Sequence, residues 1–284
     1  MLFGEYIVLR GSDSLAFPLK FGQDLDVHPD SETSWKSYSP DGCWFEANFD
    51  GDLNLLSTNN QEAGEILSKL FKFIRSKKPG IDFNASFKAT ADFNLSWGLG
   101  SSSTLISLLA QWSGCNPYEL LEVSFGGSGY DIACATAKQP IVYSVDDRLK
   151  KEVALSPSVT SQFLFVYLGE KQNSRNEIKR FTKSEVTNQD IESINEIIHK
   201  SIECNDIESF EELIDESERL LSPIIGKERL KEHIFADYKY SIKSLGAWGG
   251  DFFLATFRDL NTAKNYFNSK GYNIMFTYNE LILK

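Results

Sequence analysis

The sequence predicts an α+β fold built from two domains. Segments with strand and helix patterns interleave along the 284 residues, without the regular alternation of a doubly wound sheet, and this favours separate sheets with helices packed on them. A polar stretch at 146–161, with Pro157 inside it, divides the chain into halves that contain both kinds of segment. We therefore predict an N-terminal domain at 1–155 and a C-terminal domain at 156–284.

The N-terminal half contains several predicted elements. The β-rich run Tyr6-Ile7-Val8-Leu9 predicts a short strand, and 33–56 predicts a β meander, because large aromatic residues there alternate with Asp-Gly turns. Apolar residues recur at helical spacing from Glu62 to Lys77, and Pro79-Gly80 ends that helix. Residues 81–89 alternate as a strand does.

The C-terminal half begins with an apolar run, Phe163–Leu168, which predicts a buried strand. Helical and strand patterns then follow one another irregularly. The predicted helices lie at 189–204, 207–221, 226–237 and 260–269, and the predicted strands at 241–245, 252–257 and 272–278.

Composition excludes several classes of function. The net charge of −11 argues against a broad basic surface for nucleic acid. No apolar run reaches the roughly 18 residues of a membrane-spanning helix, and the first residues lack the pattern of a signal peptide. The four cysteines are dispersed, which favours reduced thiols over a zinc site or disulfides. We expect a cytoplasmic protein that binds neither nucleic acid nor membrane.

A glycine-serine loop precedes an apolar helix in the first half. Its sequence is Gly98-Leu99-Gly100-Ser101-Ser102-Ser103. Glycines let the backbone approach a phosphate closely, and the N–H groups and positive dipole end of the following helix point to the same place. The serine hydroxyls add donors that can reach a magnesium ion. The alternative is an ordinary turn with a serine cap, since short glycine motifs alone are weak evidence.

Four segments, taken in order, resemble the motifs of the GHMP kinase family. They are Gly4–Leu9, the glycine-serine loop, Gly127–Ala133 and Lys243–Asp251. The third, with sequence GSGYDIA, resembles the GSGFDVA stretch of phosphomevalonate kinases and the PSGVD stretch of mevalonate kinases. Because the matches span nearly the whole chain in the family's order, together they are far more specific than any one motif.

The resemblance implies a two-domain α+β fold with the active site in the cleft between the domains. It implies magnesium-dependent transfer of the γ-phosphate of ATP to a small-molecule hydroxyl or phosphate. Mevalonate or a phosphomevalonate-like acceptor is the nearest match. Asp131 occupies the position of the family aspartate beside the accepting group, where it would take a proton or help hold the metal. The alternative role for Asp131 is a carboxylate that interacts with a helix dipole.

The same resemblance assigns the other site residues. Ser102 matches the serine that approaches magnesium, and Glu122 is favoured over Glu119 as the metal-binding glutamate. The residues expected to contact the nucleotide are Gly98, Leu99, Gly100, Ser101, Ser102, Ser103, Gly246, Ala247, Gly249 and Gly250. The residues expected to contact the acceptor are Glu5, Tyr6, Ser128 and Trp248.

Two departures from the family pattern keep alternatives open. Trp248 and Asp251 replace glycines of the third motif, and a lysine that family members carry before the first motif has no counterpart here. These departures motivate a second hypothesis, a nucleotide-binding protein with weak catalysis. A sugar or homoserine kinase of the same family is a third hypothesis, and a homodimer is also left open.

Overall fold

The computed structural model describes residues 1–169, 181, 185–246, 248 and 251–283. Its chain forms two compact units. The terminal unit comprises 1–20, 96–98 and 137–284, and the central unit comprises 21–95 and 99–136. No helix among the described residues combines the length and the apolar content that crossing a membrane requires.

The central unit contains a five-stranded sheet in the order β2-β6-β3-β4-β5. Its strands are β2 (Gln23–Pro29), β3 (Thr33–Ser39), β4 (Gly42–Phe49), β5 (Leu55–Thr58) and β6 (Ala85–Ala91). All neighbouring pairs are antiparallel except β3 and β6, which run parallel. The predicted meander at 33–56 is therefore confirmed as the strands β3, β4 and the start of β5.

Four helices accompany this sheet: α1 (Gln61–Lys77), α2 (Ser101–Ser113), α3 (Pro117–Val123) and α4 (Tyr130–Ala135). The Asn60 side chain accepts the Ala63 N–H and so caps the start of α1. The apolar face of α1 is buried with side chains of the sheet. At its centre, the Phe71 ring lies within 6.5 Å of five other aromatic rings: Trp35, Phe49, Phe83, Phe87 and Trp112.

The terminal unit contains two sheets. The first has the order β1-β7-β8, with β1 (Asp13–Ala16), β7 (Ile141–Ser144) and β8 (Leu149–Glu152). The second has the order β10-β11-β9-β12, with β9 (Phe163–Tyr167), β10 (Ile242–Ser244), β11 (Phe252–Thr256) and β12 (Met275–Thr277). Its helices are α5 (Pro157–Thr160), α6 (Asn188–Glu203), α7 (Ile207–Ile225), α8 (Leu230–His233), α9 (Leu260–Ser269) and α10 (Tyr278–Leu281).

The predicted strand at Tyr6–Leu9 is wrong, because the structure has a 3-10 helix at Ile7–Arg10. Tyr6 adopts φ 63°, which turns the chain out of the extended conformation, and Gly11 ends the short helix with φ 97°. Ile7 and Val8 are buried, as they would be in a strand. A run of buried apolar residues this short does not distinguish a strand from a helix.

The compact units divide the chain elsewhere than the predicted domains do. The polar stretch at 146–161 contains β8, which pairs with β7 along its whole length. Strand β1, from the start of the chain, pairs with the other edge of β7, and the Asp13 N–H donates to Asn195 Oδ1 in α6 at 2.8 Å. The polar composition here reflects the exposed strand β8, and residues 1–20 belong to the same compact unit as the later part of the chain.

We expect Phe71→Ala to lower the free energy of unfolding by about 3–5 kcal/mol, because it leaves a large cavity among aromatic rings. Phe73→Ala is the matched control, since Phe73 lies on the same helix and is only partly buried. Thermal and urea unfolding followed by near-ultraviolet circular dichroism would measure both. Equal losses in the two variants would contradict the described core.

Candidate functional site

The glycine-serine loop turns sharply before α2. Gly98 has φ 67° and Gly100 has φ 85°, both in the left-handed region that glycine adopts without strain. The N–H groups of Ser103 and Thr104 both donate to the carbonyl of Gly100 at 3.1 Å, which starts the helix. Among the described residues, no side chain caps this helix end. Its first turn therefore has the geometry that suits an anion.

The loop serines differ in exposure. Ser102 is exposed, Ser101 is half-buried and Ser103 is buried. The Ser101 carbonyl accepts a hydrogen bond from Gln23 Nε2 at 3.3 Å, which ties the start of α2 to β2. Thus the hydroxyl expected to approach a metal belongs to the most exposed of the three serines.

Asp131 lies in the first turn of α4 and is joined to α2 by a hydrogen bond. The Ser103 hydroxyl donates to Asp131 Oδ2 at 3.1 Å. The other carboxylate oxygen, Oδ1, is buried and has no hydrogen-bond partner within the described part of the chain. Burial raises the pKa of Asp131, and hydrogen bonds from Tyr130 and Ser103 act in the opposite direction. The two motifs that carry Ser103 and Asp131 therefore meet in the central unit.

The other predicted residues of the central unit lie on short elements near these motifs in sequence. Ser128 is half-buried just before α4, and Glu122 is exposed on α3. Glu119 is half-buried, and its carboxylate pairs with Lys77 Nζ at 3.0 Å. The described residues contain no group of three His, Cys, Asp or Glu side chains that would hold a metal. The choice of Glu122 as a metal ligand stays a prediction.

In the terminal unit, the carboxylate of Asp251 packs against Gly98. A Cβ atom added to Gly98 would lie 2.2–2.5 Å from the carboxylate atoms of Asp251. Asp251 is held at the end of the second sheet, where its carbonyl accepts the Leu168 N–H at 2.8 Å. Gly98 is thus required both by its backbone conformation and by the space that Asp251 occupies.

The two residues before Gly98 are anchored to the same sheet. Tyr167 Oη donates to the Ser96 carbonyl at 2.9 Å. The Trp97 ring packs edge-on against Phe252 at 6.5 Å and Phe276 at 5.4 Å between ring centroids. These contacts, with that of Asp251, fix residues 96–98 on strands β9, β11 and β12.

A buried cluster of charges lies beside the third motif. Lys243 has no solvent exposure, and its Nζ lies 2.6 Å from Glu5 Oε1 and 3.2 Å from Glu218 Oε1. Glu218 also accepts the Ser244 N–H at 2.9 Å and the Ser244 hydroxyl at 3.2 Å. Burial raises the pKa of Glu218 to about 7, although the Lys243 charge opposes this shift. Burial likewise raises the pKa of Glu5.

The structure buries Glu5, and its expected contact with the acceptor stays a prediction. Its carboxylate is buried and paired with Lys243, so it faces the interior of the terminal unit. Tyr6 is also buried, with its ring 5.3 Å from that of Phe181. Its φ of 63° holds the backbone in a conformation that costs a tyrosine roughly 1 kcal/mol or more.

Trp248 of the third motif is buried next to Lys243. It is 1% exposed with φ 53°, and its ring lies 5.2 Å from Lys243 Nζ. Its carbonyl accepts a hydrogen bond from Lys227 Nζ at 2.6 Å. Gly246 has φ 59°, and the remaining predicted residues of this motif lie outside the described residues: Ala247, Gly249 and Gly250.

Sequence reasoning missed Glu218, which belongs to no motif. It lies in the interior of α7, a helix rich in acidic residues, so composition does not distinguish it from its neighbours. Its spacing does distinguish it, because Glu218 follows Ile214 by four residues and precedes Leu221 by three and therefore falls on the buried face of α7. A charged residue in such a stripe indicates a buried partner of opposite charge.

Comparison with known proteins identifies the fold. No protein-family model matches the sequence, and no curated protein matches it. The solved mevalonate kinase of Methanococcus jannaschii is 15% identical with a TM-score of 0.71, and the match covers 99% of this chain and 95% of that chain. The phosphomevalonate kinase of Streptococcus pneumoniae, in complex with phosphomevalonate and AMPPNP, is 16% identical with a TM-score of 0.72, over 97% and 96% of the two chains.

A galactokinase of Lactococcus lactis complexed with galactose is 14% identical with a TM-score of 0.69, over 99% of this chain and 90% of that chain. The chain has the GHMP-kinase fold. The predicted α+β class and the resemblance stated from four motifs are confirmed at the level of fold. Because the three matching kinases differ in the acceptors that they are named for, the shared fold does not select a substrate.

We expect Gly98→Ala to destabilise the protein more than Gly100→Ala. Both substitutions place a side chain at positive φ, which costs about 1 kcal/mol. Only the Cβ at position 98 meets Asp251, whereas nothing lies within 4 Å of the Cβ position at Gly100. The difference in melting temperature between the two variants should shrink when each is combined with Asp251→Gly. An unchanged difference would contradict the packing of Asp251 on Gly98.

We expect the stability of the protein to fall as pH rises through the pKa of Glu218. The folded chain retains a proton between pH 4.5 and about 7 that the unfolded chain has released. The stabilisation that this proton gives is complete below pH 4.5 and is lost as pH rises through about 7. In the wild type, the free energy of unfolding should be roughly 3 kcal/mol lower at about pH 8 than below pH 4.5 because of this group. Glu218→Gln should remove this pH dependence. Urea unfolding across this range would measure it.

Glu212→Gln is the control for that measurement, because Glu212 is exposed on the same helix. Its profile of stability against pH should follow the wild-type profile. Wild type and Glu218→Gln profiles that stay parallel from about pH 4.5 to 8 would show that Glu218 does not carry the proton.

Proposed function

We propose that this protein transfers the γ-phosphoryl group of ATP to a hydroxyl or phosphate oxygen of a small molecule. The observation that carries the proposal is the hydrogen bond from the Ser103 hydroxyl to Asp131 Oδ2. It joins the helix that begins at the glycine-serine loop to a carboxylate of raised pKa. A helix end that can bind phosphate, beside a proton acceptor, is an arrangement that suits phosphoryl transfer.

The geometry of the loop supports ATP as the phosphoryl donor. Left-handed Gly100 and the uncapped first turn of α2 give main-chain N–H groups access to an anion. The nucleotide contacts proposed are those of the loop, Gly98 to Ser103, together with the third-motif residues Gly246, Ala247, Gly249 and Gly250. The Streptococcus pneumoniae phosphomevalonate kinase, which shares the fold, has AMPPNP in its complex.

Asp131 is proposed as the base. When the acceptor is a hydroxyl, its oxygen gives its proton to an Asp131 carboxylate oxygen as it forms a bond to the γ-phosphorus, and the bond from that phosphorus to the β,γ-bridging oxygen breaks to release ADP. An ionised phosphate acceptor forms and breaks the same bonds and has no proton to transfer. Oδ2 is held by Ser103, whereas the buried Oδ1 has no hydrogen bond within the described residues and so keeps its acceptor capacity. A raised pKa brings the carboxylate closer to the value of an effective base near neutral pH.

Magnesium fits this site as a partner of the nucleotide. Mg²⁺ usually takes only one or two protein ligands and completes its shell with phosphates and water, so a cluster of three carboxylates is not needed. Ser102 and Glu122, both exposed in the central unit, are the proposed ligands. The ion would neutralise negative charge on the triphosphate.

The acceptor proposed is mevalonate or a phosphomevalonate-like molecule, because GSGYDIA matches those kinases best. Ser128, Tyr6 and Trp248 are the proposed acceptor contacts. Glu5 is the fourth residue proposed at the acceptor, and its carboxylate is paired with Lys243. Homoserine and sugars are the competing acceptors within the same fold, and a galactokinase is among the matching structures.

One observation favours a second candidate, a nucleotide-binding protein with weak catalysis. The Asp251 carboxylate lies against Gly98, where it adds negative charge beside the first glycine of the loop. Such a charge repels a triphosphate unless a cation lies between them. Replacing Asp251 by glycine, the family residue, would increase turnover if this repulsion limits activity.

We expect Asp131→Asn to lower kcat by about 10²–10⁴-fold, because the amide cannot accept the proton. ATP affinity, measured by calorimetry with Mg²⁺, should change little. Turnover would be followed by coupled ADP release with mevalonate, phosphomevalonate, homoserine and galactose. Asp52→Asn is the control, since Asp52 is an exposed carboxylate of the same unit.

The combined results separate the two candidates. Turnover that depends on Asp131 supports the kinase. Tight ATP binding without turnover for any acceptor, in wild type and in Asp251→Gly, favours the nucleotide-binding protein. Absence of ATP binding would contradict both.

A further inference from the structure

Glu218 is the centre of a buried hydrogen-bond network that links two turns of the terminal unit. Its Oε1 accepts from Lys243 Nζ at 3.2 Å and from the Ser244 N–H at 2.9 Å, and its Oε2 accepts from the Ser244 hydroxyl at 3.2 Å. Lys243 Nζ donates onward to Glu5 Oε1 at 2.6 Å. One side chain from α7 therefore holds Ser244, at the end of β10, directly and Glu5 through a single ammonium group.

Each of these two turns contains a residue with strained backbone. Tyr6 has φ 63° and Trp248 has φ 53°, and they are two of four non-glycine residues with positive φ in the described part of the chain. Such conformations persist only where the surroundings hold them, and they occur often where a side chain must be aimed at a ligand. Both are residues that the proposed function assigns to the acceptor.

Both the ring and the main chain of Trp248 are held by neighbouring groups. Its ring lies over the Lys243 ammonium, with 5.2 Å from Nζ to the ring centroid, while its carbonyl accepts from Lys227 Nζ at 2.6 Å. Its N–H donates to the Leu245 carbonyl at 3.2 Å, which closes the turn. The orientation of this indole thus depends on where the Lys243 ammonium is fixed.

We propose that Glu218 is a positioning residue for the phosphoryl transfer: through Lys243 and Ser244 it holds Tyr6 and Trp248 in the conformation that the acceptor meets. The kinetic part of this inference rests on the proposed function, whereas the structural part concerns the environment of Trp248 alone. Glu218 has no solvent exposure and is assigned no contact with substrate.

Hydrogen bonding, rather than charge, is the property that matters at position 218. Two carboxylates face one ammonium, so a neutral side chain there still leaves Lys243 paired with Glu5. Glutamine has the shape of glutamate and can accept from Lys243 and Ser244, whereas methionine has a similar length and is a poor acceptor. Both substitutions remove the negative charge at position 218, but only methionine removes the hydrogen bonds to Lys243 and Ser244. Comparison of the two variants therefore separates the effect of the hydrogen bonds from that of the charge.

The test uses full-length Glu218→Met and Glu218→Gln, with Glu212→Met as an exposed control on the same helix. The proteins are labelled with fluorotryptophan, and the fluorine NMR signal of Trp248, one of five tryptophans, is assigned by its loss in Trp248→Phe. Turnover is measured below the melting temperature of every variant, with the best acceptor of the wild type.

In Glu218→Met, we expect the Trp248 signal to shift or broaden while the other tryptophan signals stay in place. The value of kcat should fall about tenfold, with KM for ATP changed by less than about threefold, because misplaced acceptor contacts affect the transition state most. Glu218→Gln should restore the signal and most of kcat, and Glu212→Met should match wild type. If Glu218→Met does not fold, Ser244→Ala replaces it. In that variant the Trp248 signal should also shift or broaden, and kcat should fall by a smaller factor.

Two results would overturn the proposal. One is an unchanged Trp248 signal in folded Glu218→Met or its Ser244→Ala replacement, since a merely structural residue would lower only the melting temperature. The other is a Glu218→Gln variant as impaired as Glu218→Met, since that would assign the effect to charge. If wild type turns over no acceptor, the proposed function fails, and the NMR comparison alone still decides whether Glu218 positions Trp248.

Discussion

The buried ammonium group of Lys243 needs hydrogen-bonding partners in place of water, and segments of the terminal unit meet at this group to supply them. Two partners come from distant parts of the chain, Glu5 from the N-terminal segment and Glu218 from the middle of α7. The third is the carbonyl of Ser244, the next residue in the same strand. Loss of Lys243 would leave two carboxylates buried without their cation, which typically costs several kcal/mol. The cluster therefore ties together segments that the hydrophobic core alone would hold less specifically.

The central unit meets a different electrostatic problem. A chain with a net charge of −11 has no excess of cationic side chains to offer an anionic ligand. Its candidate phosphate site relies instead on main-chain N–H groups at the start of α2, whose partial charges are fixed by the helix. One carboxylate of this unit, Asp131, accepts a hydrogen bond from Ser103 at the start of α2. A cation that accompanies the ligand would offset this charge, and magnesium has this role in the proposed reaction.

Much of the fold and part of the site could be predicted from sequence, because both depend on local pattern. Helical spacing located α1 and α6 to within a residue or two of their ends, and four ordered motifs indicated the fold. The turn at Tyr6 was missed because its positive φ is set by tertiary contacts rather than by residue type. The buried pairing of Glu5 and the role of Glu218 were missed because they depend on which side chains meet across long stretches of chain, and one sequence does not record this.

The division of the chain into units has a consequence for biosynthesis. Strand β1 emerges from the ribosome first, but its partner β7 follows only after the central unit has been made. The segments 21–95 and 99–136 supply every strand of the five-stranded sheet and could collapse early, whereas β1 stays unpaired during that interval. Contacts between residues far apart in sequence form slowly, since a long loop must close first. Until β7 is made, β1 therefore has an unpaired edge, and chaperones that shield extended segments would find their target in this strand.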